Sequence, residues 1–104
     1  MLLTEDQFSQ TFAAPMRLLP QEAEPPFNFW PYFEEISARD FEGHEFSGDV
    51  TYVYEHPSGK FQHVLLNSEE KGIFLAIVLN VPARRVFGHR ILNLNALYGV
   101  GEPN

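Results

Sequence analysis

The sequence predicts an α+β fold: short helices in an aromatic-rich first half, then a four-stranded antiparallel meander over about residues 50–92. Three observations predict it. The chain has 104 residues, the size of one domain, and its 44% hydrophobic and 20% charged content is that of a globular chain rather than a disordered one. Near Val50 the apolar pattern changes to runs rich in β-branched and aromatic residues. The links between those runs are too short for crossover helices, so neighbours must pair antiparallel. The expected organisation is one domain over 1–104, with a helical half over about 1–45, the sheet over about 46–98 and a frayed tail over 99–104.

Thr4 and Gln7 have the spacing of a capping box, and Leu3 and Phe8 stand at the two positions of a hydrophobic staple around it. Glu5 and Asp6 suit the positive end of a helix dipole, Phe8 and Phe12 share a face, and Pro15 enforces a stop, which predicts a helix over about 5–13. Met16–Leu19 is a brief apolar piece between Pro15 and Pro20, and 21–26 is a polar, proline-bearing loop expected to be mobile. Phe27, Phe29, Trp30, Tyr32 and Phe33 form a dense aromatic cluster, and Pro31 suits the first turn of a helix over about 31–38 that carries Phe33 and Ile36 inward.

The four strands are expected over 50–55, 60–66, 73–80 and 85–92. Pro57 with Gly59, Gly72, and Pro82 supply the turn chemistry between them. Asn93 is expected to cap a last helical turn through Leu94, Leu97 and Tyr98, closed by Gly99.

Charge and composition narrow the function. With 14 acidic and 7 basic residues the net charge is −7, so a phosphate backbone is repelled and nucleic acid is not an expected partner. The imbalance is uneven: residues 1–55 hold 11 acids and two bases (−9), whereas 56–104 hold three acids and five bases (+2). Such asymmetry suits a solvated acidic surface, attraction of a basic partner, or two copies meeting in opposite orientation. The absence of cysteine excludes disulfides, thiolate nucleophiles and cysteine-based zinc sites. No apolar run is long enough for a signal peptide or membrane span, which places the expected location in the cytoplasm, away from membranes.

If His56 lies opposite Lys60, Asn67 opposite Gly72 and Asn80 opposite Arg85, then Val53, His63, Ala76 and His89 form one row across the sheet. One face then carries Tyr52, Tyr54, Val64, Leu66, Leu75, Ile77, Leu79, Val86 and Leu92. The other carries Thr51, Val53, Glu55, Phe61, His63, Leu65, Phe74, Ala76, Val78, Phe87, His89 and Ile91. On this register small Ala76 opens a groove between two imidazoles whose Cα atoms are roughly 10 Å apart, flanked by Phe61, Phe87 and Glu55. The same histidines serve equally as packed residues bonded to local groups.

No metal-ligand spacing, phosphate loop or catalytic triad stands out, so no metal, cofactor or catalytic residue is expected. Asp40, Glu42, Glu45 and Asp49 fail the spacing of a calcium loop and read as a solvated acidic connector. Both faces of this sheet are apolar, which demands two covers: either the two helices and the loop before the sheet wrap both sides, or the second face meets another molecule. The leading expectation is therefore a protein-interaction or regulatory module that binds a protein partner, or itself as a homodimer, through an apolar sheet face, with Trp30, Tyr32, Phe74 and Val78 as contact residues. The alternative is a small-ligand-binding or enzymatic domain using the His63 and His89 groove.

Overall fold

A computed structural model describes residues 1–13 and 15–93. In element order it contains helix α1 (Glu5–Ser9), strand β1 (Arg17–Leu18), helix α2 (Trp30–Glu34), a 3₁₀ turn (Ala38–Phe41), and strands β2 (Tyr52–Glu55), β3 (Phe61–Asn67), β4 (Ile73–Asn80) and β5 (Arg85–Asn93). The fold is a compact α+β arrangement around a five-stranded antiparallel sheet in the order β1-β2-β3-β4-β5. The expected sheet of four strands lacks β1, because a two-residue pairing is too short to leave a periodic signal; Met16–Leu19 shows only as apolar residues between prolines.

α1 begins as its residues dictate. The Thr4 hydroxyl accepts from the Gln7 N–H and the Gln7 side chain accepts from the Thr4 N–H, at 3.1 and 2.9 Å. The helix is shorter than the expected 5–13, since the chain after Ser9 closes into turns through Thr11 N–H to Phe8 C=O and Phe12 N–H to Ser9 C=O. α2 keeps Pro31 in its first turn but ends at Glu34, short of the expected 38. The expected last turn over 94–99 and the tail lie outside the described residues, and Asn93 ends β5.

The sheet is buried on both faces, and the amino-terminal half supplies both covers. On the first face Tyr54, Leu65, Phe74, Ala76, Val78 and Leu92 pack under Leu3, Phe8, Phe12 and Met16. On the second, Val53, Val64, Leu66, Leu75, Ile77 and Leu79 pack under Phe29 and a roof of Phe27, Trp30, Tyr32, Phe33, Ile36, Phe41 and Phe46. That roof is continuous: Trp30 meets Phe33 edge-on at 5.6 Å, Phe33 stacks on Phe41 at 6.0 Å, and Phe41 meets Phe46 at 5.3 Å.

Strand pairing corrects the expected row. Val53 faces Val64 rather than His63, His63 faces Val78 rather than Ala76, and Ala76 faces Arg90 rather than His89. Three local causes account for this. Gly59 takes a φ of 77°, and the His56 N–H pairs with the Phe61 C=O, so the first hairpin closes one residue later than expected. A slip of one residue turns a strand over, so Tyr52 and Tyr54 share a face with His63 and Leu65, not with Val64 and Leu66. The second hairpin pairs Asn67 with Phe74, a slip of two that preserves the faces. In the third, Asn80 does face Arg85, but Val78 faces Gly88 while Leu79 faces Val86. This bulge leaves Phe87 unpaired and inverts the rest of β5, moving His89 and Ile91 to the second face and Leu92 to the first.

In the acidic connector Glu42, Glu45 and Asp49 are exposed, as expected, while Asp40 is half-buried. The Glu69 carboxylate accepts from the Glu45 N–H at 3.0 Å and bonds His44 Nδ1 at 3.3 Å, while the Ser47 N–H reaches the Asn67 C=O, tying the connector to the β3–β4 turn. Those hydrogen bonds hold Glu69 below the usual carboxylate range.

Candidate functional site

His63 and His89, the two histidines of the expected groove, stand on opposite faces of the sheet. His63 is fully buried beneath α1, its ring 4.7 Å from that of Phe8. The Thr11 hydroxyl donates to the Phe8 C=O at 2.8 Å, so its lone pair is free to accept from His63 Nε2 at 2.9 Å. That bond fixes the proton on Nε2. Burial in an apolar core pushes His63 down to about 3, so the ring is neutral. Ala76, Phe61 and Phe87 share this face, and Phe61 meets Phe87 edge-on at 5.7 Å.

His89 is 2% exposed on the second face, clamped from both sides. Asp40 Oδ2 lies 3.0 Å from Nε2, and the Tyr32 hydroxyl lies 2.7 Å from Nδ1. An ionised carboxylate only accepts, so Nε2 carries the proton and Nδ1 accepts from the Tyr32 O–H. Burial lowers the imidazole and outweighs the opposing pull of Asp40. Burial and the Asp40 charge push Tyr32 up to about 12, which keeps it a phenol and a donor. The trio joins α2, the 3₁₀ turn and β5, beside a cavity of about 220 Å³ that Glu35, Ile36 and Ser37 also line. The Met1 amino group donates to the Tyr32 hydroxyl from the other side. Asp40 as a histidine partner was not legible in the sequence, because 49 residues separate the two and only the bulge turns His89 towards it.

Glu55 lies at the β1–β2 edge, pairing with Arg17 and accepting from Gln62 Nε2 at 3.3 Å, on the second face of the sheet, opposite to that of His63. Of the expected contact residues, Phe74 and Val78 are buried under the first cover, while Trp30 and Tyr32 are half-buried within the second.

A larger opening lies where sequence reasoning placed only a loop. β1 pairs Arg17 with Glu55 and Leu18 with Tyr54, and the Leu19 N–H still reaches the Val53 C=O at 2.9 Å. Pro20 then ends the pairing, having no N–H to donate, and the chain diverges from β2. Between the departing loop and residues 50–53 opens a groove of about 500 Å³, lined by Leu18, Leu19, Pro20, Ala23, Pro25, Val50 and Val53 among others. Leu18 is 51% exposed, one of the three most exposed large apolar side chains of the described residues. Glu22 and Glu24 flank Ala23, and Asp49 precedes Val50; all three are exposed, and among the described residues none forms an ion pair. The groove's lining thus carries no charged side chain, and exposed acids, here called its rim, stand next to that lining in the chain.

Among the described residues no group of three or more histidine, cysteine or carboxylate side chains is placed to hold a metal ion, and no helix is long and apolar enough to cross a membrane. The chain matches no protein-family model, no curated protein and no solved structure.

Proposed function

We propose that this protein is a partner-binding module that takes an apolar side chain of another protein into the groove where β1 leaves β2. One observation carries the reading: with both faces of the sheet under the chain's own covers, an apolar groove of about 500 Å³ still opens at the sheet edge, and half-exposed Leu18 is among its lining residues. Its volume of about 500 Å³ lies within the usual range of binding pockets, roughly 300–1,000 Å³. Recognition therefore belongs to the edge of the sheet rather than to a face.

Titration of the isotope-labelled protein with indole, a free mimic of an apolar side chain, tests this. Amide shifts should concentrate at residues 18–25 and 50–53 and vanish in an Ala23→Trp variant, whose added ring fills the groove. Shifts spread over the surface, or unchanged by that variant, would overturn the reading.

The alternative, a small-ligand site, is supported at one histidine. His89, Tyr32 and Asp40 border the cavity of about 220 Å³, which would suit a small hydrogen-bonding ligand. Tyr32→Phe would then abolish binding of that ligand, while leaving indole binding at the groove unchanged.

A further inference from the structure

We infer that the occupant of the β1–β2 groove is an extended segment of a basic partner protein, carrying a large apolar side chain between lysine or arginine residues. This rests on the groove being a partner site, and adds what the partner must be.

The rim supplies the first argument. Exposed Glu22 and Glu24 are the chain neighbours of lining residue Ala23, and exposed Asp49 that of Val50, and among the described residues no cation neutralises them. An apolar group flanked by cations satisfies the interior and rim together, whereas a neutral apolar molecule leaves the rim unanswered. The wider field has the same sign. Among the described residues the lining falls between 18 and 53, within the part of the chain that carries −9, so a cationic segment is drawn to the groove over roughly the 10 Å of screened range.

The edge supplies the second. β1 offers only Arg17 and Leu18 for pairing, with Pro15 before it and Pro20 after it, so a long added strand has no ladder to join. Binding must come from a side chain in the groove rather than from extended sheet formation. A second copy of this chain fits poorly. A two-fold contact would set each acidic rim against its counterpart, between molecules that each carry −7.

Four capped peptides of about nine residues test the inference with the full chain, by fluorescence anisotropy: leucine with lysine, leucine with serine, leucine with glutamate, and serine with lysine. The leucine–lysine peptide should bind about tenfold more tightly than any other, and weaken about tenfold between roughly 50 and 300 mM salt. Replacing the rim by Glu22→Gln, Glu24→Gln and Asp49→Asn should erase its advantage over leucine–serine without lowering the melting temperature. Equal binding of leucine–serine, or of serine–lysine, would overturn the inference. So would self-association of the chain that the rim variant strengthens. If no peptide binds while indole still enters the groove, the basic partner is wrong and the groove stands; if neither binds, the groove reading itself falls.

Discussion

At the scale of single residues, the two histidines show how a polar group becomes tolerable inside a sheet. Each is neutral, and each ring is hydrogen-bonded by a cover residue: Thr11 above the first face, Asp40 above the second. Removing a side chain that hydrogen-bonds a buried imidazole costs about 1–3 kcal/mol. Thr11→Val should therefore lower unfolding stability by that amount in urea titrations, while the nearly isosteric exposed change Thr4→Val reports only a lost cap. A Thr11→Val variant as stable as the parent would remove the hydroxyl from its proposed role. Both histidines stood out in the sequence as polar residues within apolar strands. Their separation did not, because a turn that closes one residue late and a bulge at Phe87 each invert a strand, and neither leaves a pattern that residue identity alone reveals.

At the scale of elements, the parts held by local chemistry were the legible ones. The capping box at Thr4 and Gln7 forms as its spacing requires, and Thr4→Ala should cost about 1 kcal/mol, measured as a lower urea midpoint at unchanged slope. β3, β4 and β5 fall within one residue of their expected bounds, because long apolar runs between turn residues leave little choice. β1 owes its existence to tertiary pairing, and no local propensity announces two residues between prolines. The bulge has a packing reason as well. At Gly88 a Cβ would lie 2.4 Å from Leu3 Cδ2 and 2.8 Å from the Met1 C=O, so glycine lets the amino-terminal segment close onto β5. Gly88→Ala should push that segment away, costing about 1–3 kcal/mol and raising amide exchange at the Leu3 and His89 N–H groups, which hydrogen-bond across this contact. Unchanged exchange there would contradict it.

At the scale of the whole molecule, the chain solves a two-faced apolar sheet by wrapping it with its own first half, α1 on one side and the aromatic segment on the other. This arrangement makes stability depend on pH through both histidines. The folded state holds His63 near 3 against an ordinary 6.5, and lowers His89 as well, so below 6.5 the unfolded chain takes up protons that the folded chain refuses. Stability is therefore full above about 6.5 and falls as pH drops towards 3, by at most about 1.4 kcal/mol per unit for each histidine. Urea midpoints should decline between pH 6.5 and 4.5, before ordinary carboxylates titrate, and His63→Gln should make that decline shallower.

The sequence exposed the need for two covers through the apolar character of both strand faces. It left open whether the amino-terminal half provides both or another molecule covers the second face, since that depends on where two short helices land rather than on their own residues. The same closure moves recognition to the sheet edge, the claim on which the functional reading depends. Light scattering across a concentration series addresses it directly. A steady mass near 11.9 kDa is the expected result, because both faces are occupied and prolines blunt the β1 edge. A dimer that grows with concentration and survives Leu18→Asp would contradict it, by revealing an apolar surface that lies elsewhere than the groove.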